Sequence, residues 1–256
     1  MKQDMSVDVD ATEKPKPTKK PEKNLYEPYS TPRILYELLR VAVYVIAFLA
    51  MRMHLRGRYN IPRKGPYIIA ANHLSWLDIP LIPAYVPGKV VYMAKEEVFL
   101  GKLSWVGRFL GAFPVKRHEA DRQAIRAGET VLKQGKVLVI FPEGHRSDTH
   151  TMAKGYAGLG MIALRSGVPV LPVAIWGSER GLKKFGAEIT ISYGEPITLK
   201  PKGKKITRED IDNATDEVMR HIAAMLPERY RGVYGTIEQP TEQALPGEQT
   251  QEQAMQ

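Results

Sequence analysis

The sequence contains no cysteine, which excludes disulfides, thiolate metal ligands and a cysteine nucleophile together. It also lacks an ordinary membrane-spanning run. In its most apolar region the uncharged stretch is eleven residues, Val41 to Met51, against the roughly 18 expected of a span. No early basic segment leads into an apolar core and a small-residue cleavage site, so no signal peptide is read and the folded part is expected on the cytoplasmic side. Large apolar side chains are almost missing from residues 1–24, where Pro15, Pro17 and Pro21 lie among Lys14, Lys16, Lys19, Lys20 and Lys23. Lys and Arg are missing from residues 236–256, which are rich in Gln and Glu. Neither end can bury enough surface to offset the entropy of ordering, so both are expected to be disordered tails.

The remaining chain is basic. Six Lys and five acids belong to the first tail and four Glu to the second, which leaves 31 Lys and Arg against 19 Asp and Glu in between, +12 compared with +9 for the whole chain. A domain so charged favours anionic partners, and membrane surfaces, phosphorylated metabolites and nucleic acids all qualify. A solvated basic surface with no partner is an equal alternative.

From Ile34 to Leu55 the sequence is strongly apolar and would make a helix about 33 Å long at 1.5 Å per residue. Glu37, Arg40 and Arg52 interrupt it, and Arg33, Glu37 and Arg40 recur at helical spacing as one polar stripe. This pattern favours a helix lying in a membrane interface, cations toward anionic headgroups, over one packed on the domain's own core or one that spans. The segment 25–60 is accordingly read as an N-terminal membrane-associated helix preceding a domain over 61–235.

Beyond it, short β-branched runs at Tyr67–Ala71, Val90–Ala94, Val137–Phe141, Val170–Ile175 and Glu188–Tyr193 alternate with helical patterns near 75–86, 96–110, 120–134, 154–166 and 208–226. This alternation predicts a single α/β domain with a largely parallel sheet flanked by helices. The chemically notable residues gather where strands end, the side of an open α/β sheet on which ligands bind.

The first group is Asn72-His73-Leu74-Ser75-Trp76-Leu77-Asp78. Imidazole can take a hydroxyl proton at neutral pH, provided a carboxylate on its other nitrogen orients the ring. His73 and Asp78 can meet if His73 ends a strand and Asp78 opens the next helix. By itself the spacing favours a plain capping pair, Ser75 at the N-cap and Asp78 at N3, with His73 a hydrogen-bonded loop residue. Gly111-Ala112-Phe113-Pro114-Val115-Lys116-Arg117 reads as a loop carrying two cations, of which Arg can grip a phosphate through its planar fork. Phe141-Pro142-Glu143-Gly144-His145-Arg146-Ser147 follows a buried-looking strand, with Gly144 allowing a tight backbone and Arg146 and Ser147 offering donors. Val170-Leu171-Pro172-Val173 contains a proline, which is expensive inside a sheet and ordinary on an edge strand.

In this order and at these intervals the four groups resemble the motifs of the glycerolipid acyltransferase family, which includes 1-acylglycerol-3-phosphate acyltransferases, over about residues 60–200. The resemblance implies that His73 is the general base and Asp78 its orienting partner. It implies that Arg117, Glu143, Gly144, Arg146 and Ser147 hold the acceptor's phosphate and glycerol, and it makes Lys95 a candidate for steadying the oxyanion. A solvated lysine opening a helix is the plainer reading of Lys95. His145 departs from the family pattern, where threonine is usual. The implied reaction moves a fatty acyl group from acyl-CoA or acyl carrier protein, as substrate, to a lysophosphatidic-acid-like acceptor at an anionic membrane surface, giving phosphatidic acid. No further cofactor is implied. Another lysophospholipid, glycerol 3-phosphate or a glycolipid could be the acceptor, and a noncatalytic lipid-binding module is the alternative from a different class. No metal is expected, since Glu143, His145 and His150 follow no familiar zinc spacing. Nucleic acid is not expected as a partner, because the cations accompany no recognition motif. Trp76, Trp105 and Trp176 read as packing or interfacial anchors.

Overall fold

A computed structural model describes residues 31–96, 111–115, 121–181 and 183–235. The two expected tails, the helix expected over 96–110 and Lys116 and Arg117 lie outside the described residues. So does the side chain of Lys95.

The described strands form one sheet in the order β1-β7-β6-β2-β5-β3-β4. They are β1 (Met51–Arg56), β2 (Tyr67–Ala71), β3 (Val90–Lys95), β4 (Phe113–Val115), β5 (Val137–Ile140), β6 (Val170–Trp176) and β7 (Ala187–Tyr193). The centre is parallel: β2 pairs with β5 and β6, and β3 with β4 and β5. The direction reverses only at β7, which runs antiparallel to β6 and parallel to β1. β2 and β5 are buried at every position, as the two covered faces of a parallel sheet require.

One face carries Ile68, Ala70, Leu138, Ile140, Val170 and Ala174 and packs against α3 (Arg122–Lys133), α4 (Gly158–Ser166) and α6 (Arg208–Met225), the last preceded in the chain by the one-turn α5 (Ser178–Gly181). The other carries Ile69, Val139, Leu171, Val173, Ile189 and Ile191 and is covered by α1 (Arg33–Ala50) and α2 (Asp78–Ala84). Side chains define the starts of the long helices. Asp121 accepts from the amides of Gln123 and Ala124 ahead of α3, and Thr207 and Asp210 form a reciprocal capping box on α6.

Three expectations need correction. The helix expected over 34–55 stops at Ala50, and the next six residues are an edge strand of the sheet. Met51, Met53 and Leu55 pack toward the core while Arg52, His54 and Arg56 face out, an alternation only a strand can satisfy. Residues 25–60 are therefore not one helix, and the sheet begins before the expected domain boundary at 61.

Second, the Gly111–Arg117 loop contains β4, three residues paired with β3. Third, β6 is not an edge strand, since β7 and β2 flank it. Pro172 is tolerated because its missing donor falls on the side where β7 has just ended. Val170 bonds across to Ile197 there, and the Pro172 carbonyl is met by the amide of Gly194 at 2.9 Å.

Of the polar stripe on α1, Glu37 and Arg40 face the domain and Arg33 is exposed. Arg40 pairs with Glu37 at 2.7 Å and donates to the Val86 carbonyl at 3.0 Å, and Tyr36 Oη accepts from the amide of Val90. The outward surface is apolar, with Ile34, Leu38, Val41, Ile46, Phe48 and Leu49 more than half exposed. Among the described residues no helix is long and apolar enough to cross a membrane.

Candidate active site

β2 ends at Ala71, and the chain then turns across the carboxyl end of the sheet before α2 begins at Asp78. Asn72 extends the β2–β6 ladder by one side chain. Its amide donates to the Ile175 carbonyl and accepts from the Ile175 N–H, both at 2.8 Å and wholly buried. The next residue, His73, thereby leaves the sheet at a fixed point.

Asp78 is completely buried, and one of its oxygens gathers the turn. Oδ2 lies 2.9 Å from His73 Nδ1 and accepts from the amides of Leu74 at 2.7 Å and Ser75 at 2.8 Å. The capping contact foreseen between Asp78 and the Ser75 amide is therefore present, but Ser75 Oγ accepts from Leu77 and the helix starts only at Asp78. Capping and orienting the imidazole are the same carboxylate's work. With Nδ1 engaged, Nε2 is the nitrogen left for a substrate proton. The ring stacks on Phe141 with centroids 4.1 Å apart, which fixes its plane as well as its tilt.

The loop after β5 supports His73 from behind. Glu143 is 1% exposed, and its two oxygens accept from the amides of His73 at 3.2 Å and Ala153 at 2.8 Å. Burial pushes its carboxyl up to about 7, although those two N–H groups pull the other way, and nearby Asp78 adds to the rise. Gly144 has φ +69°, and a Cβ there would sit 2.8 Å from the ring of Tyr156, so the tight turn at this point needs glycine. Ser147 donates its amide to the His73 carbonyl at 2.9 Å, while its hydroxyl donates to the Thr151 carbonyl at 2.8 Å and accepts from the Thr151 amide at 3.0 Å.

Of the described residues expected to hold an acceptor, Arg146 is the one exposed at this edge. Its guanidinium lies over the Trp76 ring, 5.4 Å from the centroid. Glu143 and Ser147 are buried, and their side chains accept from the amides of His73, Ala153 and Thr151, so in this arrangement they build the loop. Gly144 likewise serves the turn. Arg117 and the Lys95 side chain lie outside the described residues. Reading the sequence for reactive groups missed Asn72 as a staple and Phe141 as the ring's platform. A polar residue directly after an all-apolar strand was the available signal for Asn72. Among the described residues no group of three His, Asp or Glu is placed to hold a metal.

A histidine held by a buried carboxylate at the carboxyl edge of a parallel sheet is an arrangement suited to general-base chemistry. The sequence model of the Acyltransferase family matches residues 52–176, from β1 to the end of β6. A 1-acyl-sn-glycerol-3-phosphate acyltransferase of Bacillus subtilis is 32% identical over 168 residues, covering 64% of this chain and 82% of that protein. One from Streptococcus pneumoniae is 29% identical, covering 73% and 71%. The crystal structure of the 1-acyl-sn-glycerophosphate (LPA) acyltransferase PlsC of Thermotoga maritima superposes with a TM-score of 0.57 at 31% identity, over 72% of this chain and 76% of that one. The chain belongs to the Acyltransferase family and is an enzyme of that class.

Proposed function

We propose that this acyltransferase moves a fatty acyl group from the thioester of acyl-CoA or acyl carrier protein to the free hydroxyl of 1-acyl-glycerol-3-phosphate, giving phosphatidic acid. The observation that carries the reading is the 2.9 Å contact between His73 Nδ1 and Asp78, which leaves Nε2 to take the acceptor's proton. The hydroxyl oxygen attacks the thioester carbonyl as its proton passes to Nε2. The tetrahedral intermediate then expels the thiolate, which receives that proton, so the histidine ends as it began. Arg117 and the exposed Arg146 are assigned to the acceptor's phosphate, and Lys95 to the oxyanion. The names of the relatives in Bacillus subtilis and Streptococcus pneumoniae support this acceptor.

The same reading locates the enzyme on the cytoplasmic face of a membrane as a monotopic or peripheral protein. The outward apolar side of α1 supports this, since apolar side chains that cover no core in the domain have a natural counterpart in acyl chains. The basic charge of the folded part suits anionic headgroups. The reaction as written needs no cofactor beyond the donor thioester.

The testing experiment offers acyl-CoA and, separately, acyl carrier protein thioester to the purified full chain with a panel of acceptors: 1-acyl-glycerol-3-phosphate, glycerol 3-phosphate, other lysophospholipids and a glycolipid. Products are identified by mass spectrometry. Thiol release with phosphatidic acid formation only from the first acceptor supports the reading. Turnover confined to another acceptor replaces the substrate, and binding to liposomes with no turnover on any acceptor replaces the activity.

A further inference from the structure

Trp76 and Arg146 stand on two different loops that meet at His73. Trp76 lies in the turn whose amides are gathered by Asp78, and Arg146 adjoins Ser147, whose amide is bonded to the His73 carbonyl at 2.9 Å. The turn and the loop are thus tied to the catalytic histidine's own backbone, and the two side chains project from them at the open edge. Trp76 is 58% exposed, a large apolar surface that covers no core, yet its ring underlies the guanidinium at 5.4 Å.

Several other arginines of the described surface satisfy their charge with carboxylates. Arg40, Arg165, Arg208 and Arg220 pair with Glu37, Glu129, Asp212 and Asp216 at 2.6–3.1 Å. Arg56 and Arg229, like Arg146, lie over aromatic rings, 5.6 Å from Trp176 and 4.8 Å from Tyr230. Among the described residues Arg146 pairs with no carboxylate. An aromatic face engages the π surface of a guanidinium and leaves its N–H edge open. Such a partner holds the cation in place without neutralising it, whereas a carboxylate would compete with an incoming phosphate for the same donors.

We propose that Trp76 is a positioning and specificity residue for the acyl acceptor: it holds Arg146 with its N–H edge presented to the phosphate beside His73. The proposal rests on the reading that Arg146 binds that phosphate. Trp76 takes no part in the proton transfer, so its effect belongs in acceptor KM and in discrimination between phosphorylated and neutral acceptors. An exposed cation–π contact is worth about a two- to fivefold change in equilibrium.

The test is a double-mutant cycle in the full chain with Trp76→Ala and Arg146→Gln, measured on 1-acyl-glycerol-3-phosphate and on a monoacylglycerol that lacks the phosphate. Trp76→Ala is expected to raise acceptor KM about two- to fivefold with kcat within twofold, and Trp76→Phe to restore most of the loss. In the Arg146→Gln background the Trp76→Ala effect is expected to vanish, and on monoacylglycerol it is expected to be absent in either background. Thermal unfolding of each variant separates these effects from loss of fold. An equal KM rise from Trp76→Ala in both backgrounds, with Arg146→Gln itself raising KM, overturns the coupling and makes Trp76 an independent contact. An unchanged KM in Arg146→Gln overturns the phosphate assignment, and this inference falls with it.

Discussion

One oxygen of Asp78 receives both the imidazole Nδ1 of His73 and the amides of the two residues that follow it. The carboxylate that orients the imidazole is thus also the pin of the turn that carries it. His73→Ala removes the base alone and is expected to cut acceptor-dependent thiol release by about 10²–10⁴-fold while thermal unfolding stays near that of the parent protein. Asp78→Asn is expected to cost activity and stability together, about 1.5–3 kcal/mol by denaturant unfolding, because three donors lose an anionic acceptor. Release at the parent rate from His73→Ala would sink the mechanism.

Glu143 makes stability depend on pH. Its carboxyl is raised from the usual 4.5 to about 7, so the native state holds a proton that the unfolded chain has already lost between those values. The associated stability is complete below about 4.5 and is lost as pH climbs through about 7, a contribution of up to about 3 kcal/mol. Denaturant unfolding at pH 5, 6, 7 and 8 should show this fall in the parent protein. In Glu143→Gln that fall should be largely gone, because the side chain no longer titrates; an identical slope in both proteins would assign it elsewhere.

Asn72→Ala strips both partners from Ile175 in a fully buried place. Two backbone groups left unsatisfied predict a loss of about 2–4 kcal/mol in denaturant unfolding, with the β2–β6 junction no longer pinned beneath His73. A variant as stable as the parent would show that a buried water replaces the amide.

Ser147 and Arg146 are neighbours with different work. Ser147→Ala should lower stability by about 1–3 kcal/mol, since the Thr151 amide and carbonyl both lose their partner, and should leave acceptor KM little changed. Arg146→Gln should do the reverse. Steady-state kinetics set beside thermal unfolding separates the two, and a KM rise in a fully stable Ser147→Ala protein would return that hydroxyl to the substrate.

On α1, Phe48→Glu and Ile46→Glu change residues that are 71% and 60% exposed, so stability should move by no more than about 0.5 kcal/mol. If this face enters a membrane, each substitution removes a buried apolar side chain worth about 1.5–3 kcal/mol and lowers binding to anionic vesicles tenfold or more in cosedimentation. Undiminished binding would locate the membrane contact elsewhere.

What the sequence could determine is local. The run Tyr67–Ala71 is a buried strand because nothing in it is charged and its side chains are largely apolar, and its bounds are those of β2. Asn72 to Asp78 leaves a strand and enters a helix, which is enough to suggest that His73 and Asp78 meet. The edge strand β1 was legible too, in the alternation of Met51, Met53 and Leu55 with Arg52, His54 and Arg56, but the apolar helix leading into it masks that period. Three-residue β4 carries too short a pattern to read, and its strand state comes from pairing with β3.

Direction and burial were decided only by tertiary structure. Nothing in the β7 sequence states that it runs against β6, and nothing around Pro172 states that its absent N–H would meet the end of a neighbouring strand. The same holds at the site. Glu143, Arg146 and Ser147 are all polar and nearly adjacent, so the sequence offers all three to a phosphate. Folding takes Glu143 and Ser147 inward, because the amides of His73, Ala153 and Thr151 need acceptors where water is excluded. Arg146 remains outside on Trp76, since a guanidinium has no acceptor to offer those amides and can keep its charge in water.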